Sequence, residues 1–181
     1  GGDIYEQIHP CTMIYTTGDR EFDGKVIGMA TASGIGYCIK RSFERQDGKL
    51  VVETAKLGKP GIIIEIGDRG IIEEAKVKLT LDVIINILRY LKVLKEEVKQ
   101  NPEPRMIKGM VPVRPKKGGM LRAMVRLGSM VSAGEKLGEI QGLDGNIVEP
   151  LISPVDGFLV QWSVSPAVTS GEAVIEIAEF Y

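Results

Sequence analysis

The first hundred residues show two patterns of apolar and polar positions, one typical of strands and the other of helices. Short apolar runs, rich in β-branched or aromatic residues, predict three strands, at 11–16, 36–40 and 61–67. Segments with helical spacing lie between them, at 21–34 and 47–61. Gly34 is expected to end the first helix as a C-cap. Asp47 is the candidate N-cap of the second helix, which should end at Gly58-Lys59-Pro60.

A long amphipathic helix is predicted within residues 71–100. Acids lie early in this segment and lysines late, as the helix dipole favours. The apolar face holds Val77, Leu81, Ile84, Leu88, Leu91 and Val98.

Strands and helices that alternate in this order predict right-handed crossovers and a parallel sheet, or a mixed one, flanked by helices. Three strands make a narrow sheet whose edges would be exposed. We therefore expect this α/β domain, residues 1–100, to be incomplete as it stands or completed by another chain.

The pattern changes after residue 100. Residues 101–105, Asn-Pro-Glu-Pro-Arg, predict a linker. Residues 106–181 carry glycines and prolines at turn-like intervals without a helical pattern, and they predict a small all-β domain. Inside it, residues 130–140 (MVSAGEKLGEI) align with residues 167–177 (AVTSGEAVIEI). Two copies of one strand–turn–strand unit predict a pseudo-twofold barrel or sandwich.

This repeat resembles the barrel-sandwich hybrid fold of biotinyl and lipoyl domains, and residues 153–160 (SPVDGFLV) fit the same pattern. The resemblance implies that a carrier of this kind would hold its cofactor on a lysine in the hairpin between the two halves. The last lysine of the chain is Lys136, inside the first repeat. We therefore expect the fold without a lipoyl or biotinyl group.

Composition excludes several classes of function. The chain has 181 residues, a formal net charge of −1, two cysteines and one histidine, His9. This charge argues against nucleic acid or an anionic membrane as the main partner, and no apolar run reaches the roughly 20 residues of a membrane span. Cys11 and Cys38 are too few for a disulfide scaffold, which favours a cytoplasmic location. A single histidine argues against a catalytic zinc site within this chain, because such sites usually use about three protein ligands and histidine is prominent among them.

Glu65 is the residue that the hydrophobic pattern does not explain. It lies inside the apolar run 61–67, where a buried carboxylate without a partner is costly. It is two residues from the carboxyl end of its strand, and ligands bind outside that edge in open parallel sheets. Glu65 is therefore either a general acid or base, or a structural carboxylate that pairs with a basic neighbour or caps the next helix.

Other polar residues are weaker candidates. Residues 16–19 (TTGD) and 40–42 (KRS) end the other two strands and would line the same edge of a parallel sheet. Arg69 follows Glu65 closely and could hold a substrate carboxylate as a bidentate donor, with simple solvation as the alternative. His9 and Cys11 could share one metal, but a pair without further His or Cys favours a structural role.

A basic stretch lies between residues 105 and 126, with no acid in it. Its cations could bind nucleic acid or acidic lipid, but no aromatic residue interleaves with them and the whole chain is slightly acidic. A solvated or interdomain surface is therefore favoured for Arg105, Lys108, Arg114, Lys116, Lys117, Arg122 and Arg126.

Four segments, in their order and spacing, resemble the carboxyl-terminal portion of the succinylglutamate desuccinylase/aspartoacylase family, relatives of zinc carboxypeptidases. They are GGDIYEQIHPCTMIY (1–15), LGKPGIIIEIGDRG (57–70), VIINILRYL (83–91) and GMVPVRPKKGGMLRAMVRLGSMVSAGEKLGEI (109–140). The resemblance covers nearly the whole chain. It implies a zinc-carboxypeptidase-like α/β domain followed by the family's appended β-domain.

The resemblance implies a zinc-dependent amidohydrolase that deacylates N-acyl amino acids or similar small amides. Family members hold zinc with a His-x-x-Glu pair and an Asp-Leu-His motif, and a glutamate in a Glu-x-Gly strand acts as base on the zinc-bound water; that role maps onto Glu65. The chain has neither zinc motif, and its first residues are similar to the segment that directly follows Asp-Leu-His. Ala55 and Lys56 stand where aspartoacylases carry an arginine, so aspartoacylase specificity is not implied.

We therefore expect a fragment of a zinc hydrolase that by itself holds no metal and is inactive. Its partner would be a small-molecule N-acyl amino acid or amide, together with further copies of the chain if the β-domain mediates a homo-oligomer. The alternative is a non-enzymatic two-domain binding or assembly module. A reading frame that continues upstream through both zinc motifs would favour the enzyme, whereas an initiator Met directly before Gly1 would favour the module.

Overall fold

The computed structural model describes residues 4–44 and 48–181. The chain divides into two compact units. The α/β unit comprises Pro10–Ile66 and Ile72–Lys108, and the β unit comprises Gly67–Ile71, Gly109–Tyr181 and the described part of Gly1–His9. Each unit is therefore assembled from separate stretches of the chain.

Three helices and twelve strands form in the described residues. The helices are α1 (Arg20–Ser33), α2 (Leu50–Lys56) and α3 (Glu74–Tyr90). The strands are β1 (Glu6–Ile8), β2 (Cys11–Thr16), β3 (Tyr37–Ser42), β4 (Ile63–Glu65), β5 (Arg105–Val113), β6 (Gly119–Ala123), β7 (Met130–Val131), β8 (Lys136–Gln141), β9 (Ile147–Ile152), β10 (Gly157–Ser163), β11 (Ala167–Val168) and β12 (Ile175–Phe180). None of these helices is long and apolar enough to cross a membrane.

The sheet of the α/β unit is mixed. Strands β2 and β3 run parallel, with Thr16 opposite Ser42, and the first residues of β5 run parallel to β3. Strand β4 runs antiparallel to β2 and lies at the end of the strand order. An all-parallel sheet is therefore the wrong alternative of the two that the sequence left open.

The seven-residue helix α2 precedes the reversed strand β4. Strand β4 runs towards the amino end of β2, with Ile63 opposite Met13 and Glu65 opposite Cys11.

Local capping sets the ends of α1. The side chain of Asp19 accepts a hydrogen bond from the backbone N–H of Phe22 at 2.7 Å, which satisfies one of the open donors of the first turn. Gly34 adopts a left-handed conformation and donates to the carbonyl of Thr31, so the predicted C-cap is confirmed. Helix α2 begins after Lys49, and the predicted N-cap Asp47 lies outside the described residues.

Helix α3 packs through a different face from the one that the sequence predicted. Val83, Asn86 and Ile87 are its buried residues, and the core cluster joins Val83 and Ile87 to Met29 and Ile35. Ile62, Ile64 and Ile66 pack against the same cluster. Several residues of the predicted apolar face are instead exposed: Val77, Leu81, Ile84 and Leu91.

The β unit contains no helix in its described residues. One antiparallel sheet has the order β11-β6-β8-β9, and in the other β10 pairs with β1, β7 and β12. Aliphatic side chains form a core cluster in this unit that includes Leu137, Ile140, Leu159, Ile175 and Ile177.

The two sequence repeats adopt the same local structure. Gly134 and Gly171 have φ values of 85° and 83°. In each copy a glutamate carboxylate accepts the backbone N–H three residues before it, from Ser132 to Glu135 at 2.8 Å and from Thr169 to Glu172 at 2.9 Å. The short strand of each copy pairs with a strand outside both repeats, β7 with β10 and β11 with β6. Strand β10 also pairs with β12 of the second copy, and β6 with β8 of the first, so each short strand lies in the sheet that holds the long strand of the other copy.

Candidate functional site

Glu65 is the last residue of β4 and lies directly opposite Cys11 in the register with β2. Its side chain is half-buried, because β4 is at the edge of the sheet rather than inside it. All three residues of β4 are half-buried, so Glu65 is less buried than its apolar surroundings in the sequence led us to expect.

The thiol beside Glu65 is inert. Burial raises the pKa of Cys11 to about 12, and the negative charge of Glu65 and then the neighbouring Cys38 act in the same direction. Burial likewise raises the pKa of Cys38. Both thiols therefore stay protonated at neutral pH, and the thiolate that nucleophilic chemistry needs is not formed.

The polar ends of β2 and β3 lie away from Glu65. Thr16 and Ser42 pair at the carboxyl ends of their strands, whereas Glu65 pairs with Cys11 at the amino end of β2. The antiparallel course of β4 therefore puts the predicted groups at opposite ends of the sheet, and the expectation of one shared edge is wrong. Asp23 accepts the backbone N–H of Thr17 at 2.8 Å, which ties this end to the start of α1.

Arg69 lies in the β unit, whereas Glu65 lies in the α/β unit. Arg69 has a φ of 55°, and its backbone N–H donates to the carbonyl of Glu6 at 3.1 Å. Its Nε donates to Oδ1 of Asp68 at 2.7 Å. The Asp68 side chain is only 3% exposed and the Arg69 side chain 38%. The ion pair orients the guanidinium while part of it remains at the surface.

Asp68 is the buried carboxylate that sequence reasoning missed. Hydrophobicity drew attention to Glu65, yet it is Asp68 that is buried and paired with a base. The signal that could have found it is the dipeptide Asp68-Arg69 between two glycines, since Gly67 and Gly70 both adopt positive φ and form a tight turn there.

Asn86 is a second residue that sequence reasoning missed. Its Nδ2 donates to the carbonyls of Ala32 and Lys99, and its Oδ1 accepts the backbone N–H of Lys99 at 2.7 Å. It is a buried amide with backbone partners on two other segments. A single polar residue in the apolar run VIINIL was the available signal.

His9 has a packing role in the β unit. Its ring lies edge-on to that of Phe158, with the ring centroids 5.0 Å apart, and its backbone N–H donates to the carbonyl of Val160. Gly128 leaves room for this ring, because a Cβ there would lie 3.2 Å from the imidazole. These contacts account for His9 without a ligand.

Part of the basic stretch pairs with acids within the β unit. Arg122 and Lys136 both contact the buried carboxylate of Glu139, at 3.4 and 2.7 Å. The hydrogen bond from Lys136, then those from its other neighbours, lowers the pKa of Glu139. Glu149 accepts the backbone N–H groups of Lys116 and Lys117. These contacts give three of the seven basic residues a structural role.

The described residues do not fit a catalytic zinc ion. No group of three or more His, Cys, Asp or Glu side chains in 4–44 and 48–181 is placed to hold a metal. Three protein ligands are the usual minimum for such a site. A zinc ion would therefore need ligands from elsewhere.

Sequence comparison alone does not place the chain. No profile of a known protein family matches it. No curated protein sequence matches it either.

Comparison with solved structures does place the fold. The product-bound ectoine utilization protein EutE (DoeB) from Ruegeria pomeroyi superposes with a TM-score of 0.86 and 18% identity, over 98% of this chain and 56% of that one. The succinylglutamate desuccinylase/aspartoacylase from Rhodobacter sphaeroides gives 0.84 and 20%, over 98% and 55%. An aspartoacylase family protein from Mesorhizobium loti gives 0.78 and 14%, over 100% and 55%.

The resemblance to this family is confirmed at the level of the fold. At these identities the likeness concerns the architecture and not the chemistry. The chain spans a little over half the length of these solved structures.

Proposed function

We propose that the complete protein is a zinc-dependent amidohydrolase that deacylates N-acyl amino acids or similar small amides. The observation that carries this proposal is the match of 98% of this chain, at a TM-score of 0.84, to the succinylglutamate desuccinylase/aspartoacylase from Rhodobacter sphaeroides, with a further match to an aspartoacylase family protein. The names desuccinylase and aspartoacylase describe enzymes that remove acyl groups from amino acids. The free, buried Cys11 and Cys38 support a cytoplasmic location.

We assign the α/β unit, most of which lies in residues 1–100, to the carboxyl-terminal half of a zinc-carboxypeptidase-like catalytic domain. The bounds differ from those expected from the sequence, because the described residues before Pro10 and Gly67–Ile71 belong to the β unit and β5 begins at Arg105, inside the expected linker 101–105. The mixed sheet with α1 and α3 packed against it supports this assignment. Residues 106–181 correspond to a barrel-sandwich hybrid domain. The short strands exchanged between the two repeats support that part.

Glu65 is the general base in this proposal. It is the one acid on β4, it ends the strand, and it is half-buried at the sheet edge. The neighbouring Cys11 is neutral and cannot compete for the role. A carboxylate here would take a proton from the attacking water and return it to the leaving amine, which restores the carboxylate after each turnover.

Arg69 is the proposed donor to a substrate carboxylate. Its planar guanidinium matches carboxylate geometry, and the ion pair with Asp68 orients it. The zinc ligands we assign to residues outside the described part of the chain, since the described residues form no such site.

Metal analysis and deacylation assays on two proteins test the proposal. One is the 181-residue chain, and the other is extended upstream along its reading frame. With N-acetyl and N-succinyl amino acids as probes, we expect turnover and stoichiometric zinc in the extended protein and neither in the shorter chain. Stoichiometric zinc in the shorter chain would contradict the proposal, and an inactive extended protein would favour the non-enzymatic binding module.

A further inference from the structure

Helix α3 has two apolar faces, and the described residues cover only one of them. Val83 and Ile87 pack into the core of the α/β unit. The second face, here named the α3 stripe, is formed by apolar side chains of which Leu81 is 55% exposed and Val77 50% exposed. The α3 stripe consists of Val77, Leu81, Ile84, Leu88 and Leu91.

The spacing of the α3 stripe is that of a helix-packing surface. Its members follow one another at alternating intervals of four and three residues, which keeps them on one side of a helix. At about 100° per residue, this side lies roughly 120° around the helix from the packed face. Single exposed apolar residues are ordinary, but a continuous apolar stripe marks an interaction surface. A helix that is apolar on most sides is normally a buried one.

Strand β4 gives a second, independent sign of an open surface beside α3. It pairs with β2 on one side and ends the strand order of the described sheet. Ile62, Ile64 and Ile66 pack against the α3 core cluster, so β4 lies next to this helix, yet all three remain half-buried. An edge strand with an isoleucine-rich sequence is a template for a further strand.

We propose that the β4 edge and the α3 stripe form one docking surface for a further α/β segment of the same protein, encoded upstream. This segment adds a strand to β4 and lays an apolar helix along the stripe. The occupant rests on the proposed function, in which an upstream segment also brings the metal ligands.

The length of the matching structures identifies this occupant. This chain accounts for 55–57% of the solved chains in three of the superpositions. The remainder of those chains has no counterpart among the described residues. Both open features belong to the α/β unit, where the described sheet ends at β4.

Hydrogen exchange compares the 181-residue chain with the protein extended upstream. Backbone amides of β4 and of residues 77–91 should exchange at least about tenfold more slowly in the extended protein than in the short chain. Amides that are hydrogen-bonded and covered exchange only when a larger part of the structure opens. Amides of the hairpin at 142–146 in the β unit should exchange at the same rate in both.

Substitutions in the α3 stripe should change the unfolding midpoints of the short and the extended protein differently. L81E combined with I84E should lower the unfolding midpoint of the extended protein, because it puts two charges into a covered interface. In the shorter chain the same pair should leave the midpoint unchanged, because both side chains are exposed there. L143E, at a leucine that is 99% exposed in the β unit, is the control and should change neither protein.

Three results would overturn the docking surface. The first is that amides of β4 and the α3 stripe exchange as fast in the extended protein as in the short chain, and the second is a gene without upstream coding sequence. The third is a defined dimer of the short chain that L81E dissociates, since the occupant would then be a second copy. An extended protein that is protected but inactive would support the docking surface and contradict the proposed function. An extended protein that is active but whose amides in β4 and the α3 stripe are not protected would support the proposed function and contradict the docking surface.

Discussion

Two carboxylates close together in the chain occupy different environments. Asp68 is buried and paired with Arg69, whereas Glu65 is half-buried at the edge of the sheet. A buried acid with a fixed partner has a structural role, because its charge is already compensated. Glu65 is the less buried of the two carboxylates, so the burial cost that first singled it out belongs mainly to Asp68.

The raised pKa of Cys11 predicts how stability depends on pH. The pKa of the Cys11 thiol is about 12 in the folded protein, whereas the ordinary pKa of a cysteine is 9.0. The contribution of the protonated thiol to the free energy of unfolding is therefore complete below pH 9. It is lost as the pH rises from 9 towards 12, by at most about 1.4 kcal/mol per pH unit. Urea unfolding of the wild type and of Cys11→Ala between about pH 8 and 11 measures this loss.

The alanine variant lacks the thiol, so its stability should fall less steeply above pH 9 than that of the wild type. Other groups titrate in the same range, but they contribute equally to both proteins. Parallel curves would show that Cys11 ionises equally well in the folded and unfolded states, contrary to its burial.

At the scale of elements, the existence of a strand or helix could be predicted better than its direction. The strands at 11–16 and 36–40 and the helix with its Gly34 cap could be read from short-range patterns, because caps and periodicity are local. The direction of β4 could not, since it is defined by pairing with β2, which is distant in the sequence. The packed face of α3 could not either, because two faces are apolar and only tertiary contacts choose between them.

Asn86 should contribute more to the free energy of unfolding than the partly exposed Asn101. Asn86→Ala removes a buried amide and leaves the backbone groups of Lys99 and the carbonyl of Ala32 with fewer partners. We expect a loss of about 2–3 kcal/mol in the free energy of unfolding. Asn101→Ala, at a partly exposed amide that also donates to Ala32, should cost under about 1 kcal/mol. Equal losses in denaturant titrations would contradict this account of α3.

The internal repeat predicts equal costs at two glycines 37 positions apart. Gly134 and Gly171 both have positive φ, and an added Cβ would meet no other atom at either position, so only the backbone conformation opposes a side chain. Gly134→Ala and Gly171→Ala should each cost about 1–2 kcal/mol. Gly109→Ala, which also has open space but no positive φ, should cost much less. A large difference between the first two in thermal unfolding would mean that the turns are not equivalent.

At the scale of the whole molecule, the fold was predictable further than the chemistry. The order of short segments indicated the family, and superposition confirmed its fold at 18–20% identity. The candidate site was predictable only in part, since Glu65 was identified but the polar groups expected beside it lie at the opposite end of the sheet. The chain spans about half the length of the solved structures that it matches.

The proposed role of Glu65 as a general base can be measured in the protein extended upstream. The measurement is kcat for deacylation with Glu65→Gln, next to Glu74→Gln at an exposed acid of α3 as control. We expect a loss of about a hundredfold to ten-thousandfold in kcat for Glu65→Gln, with zinc content unchanged, and wild-type turnover for the control. Near-normal turnover by Glu65→Gln would contradict the proposal.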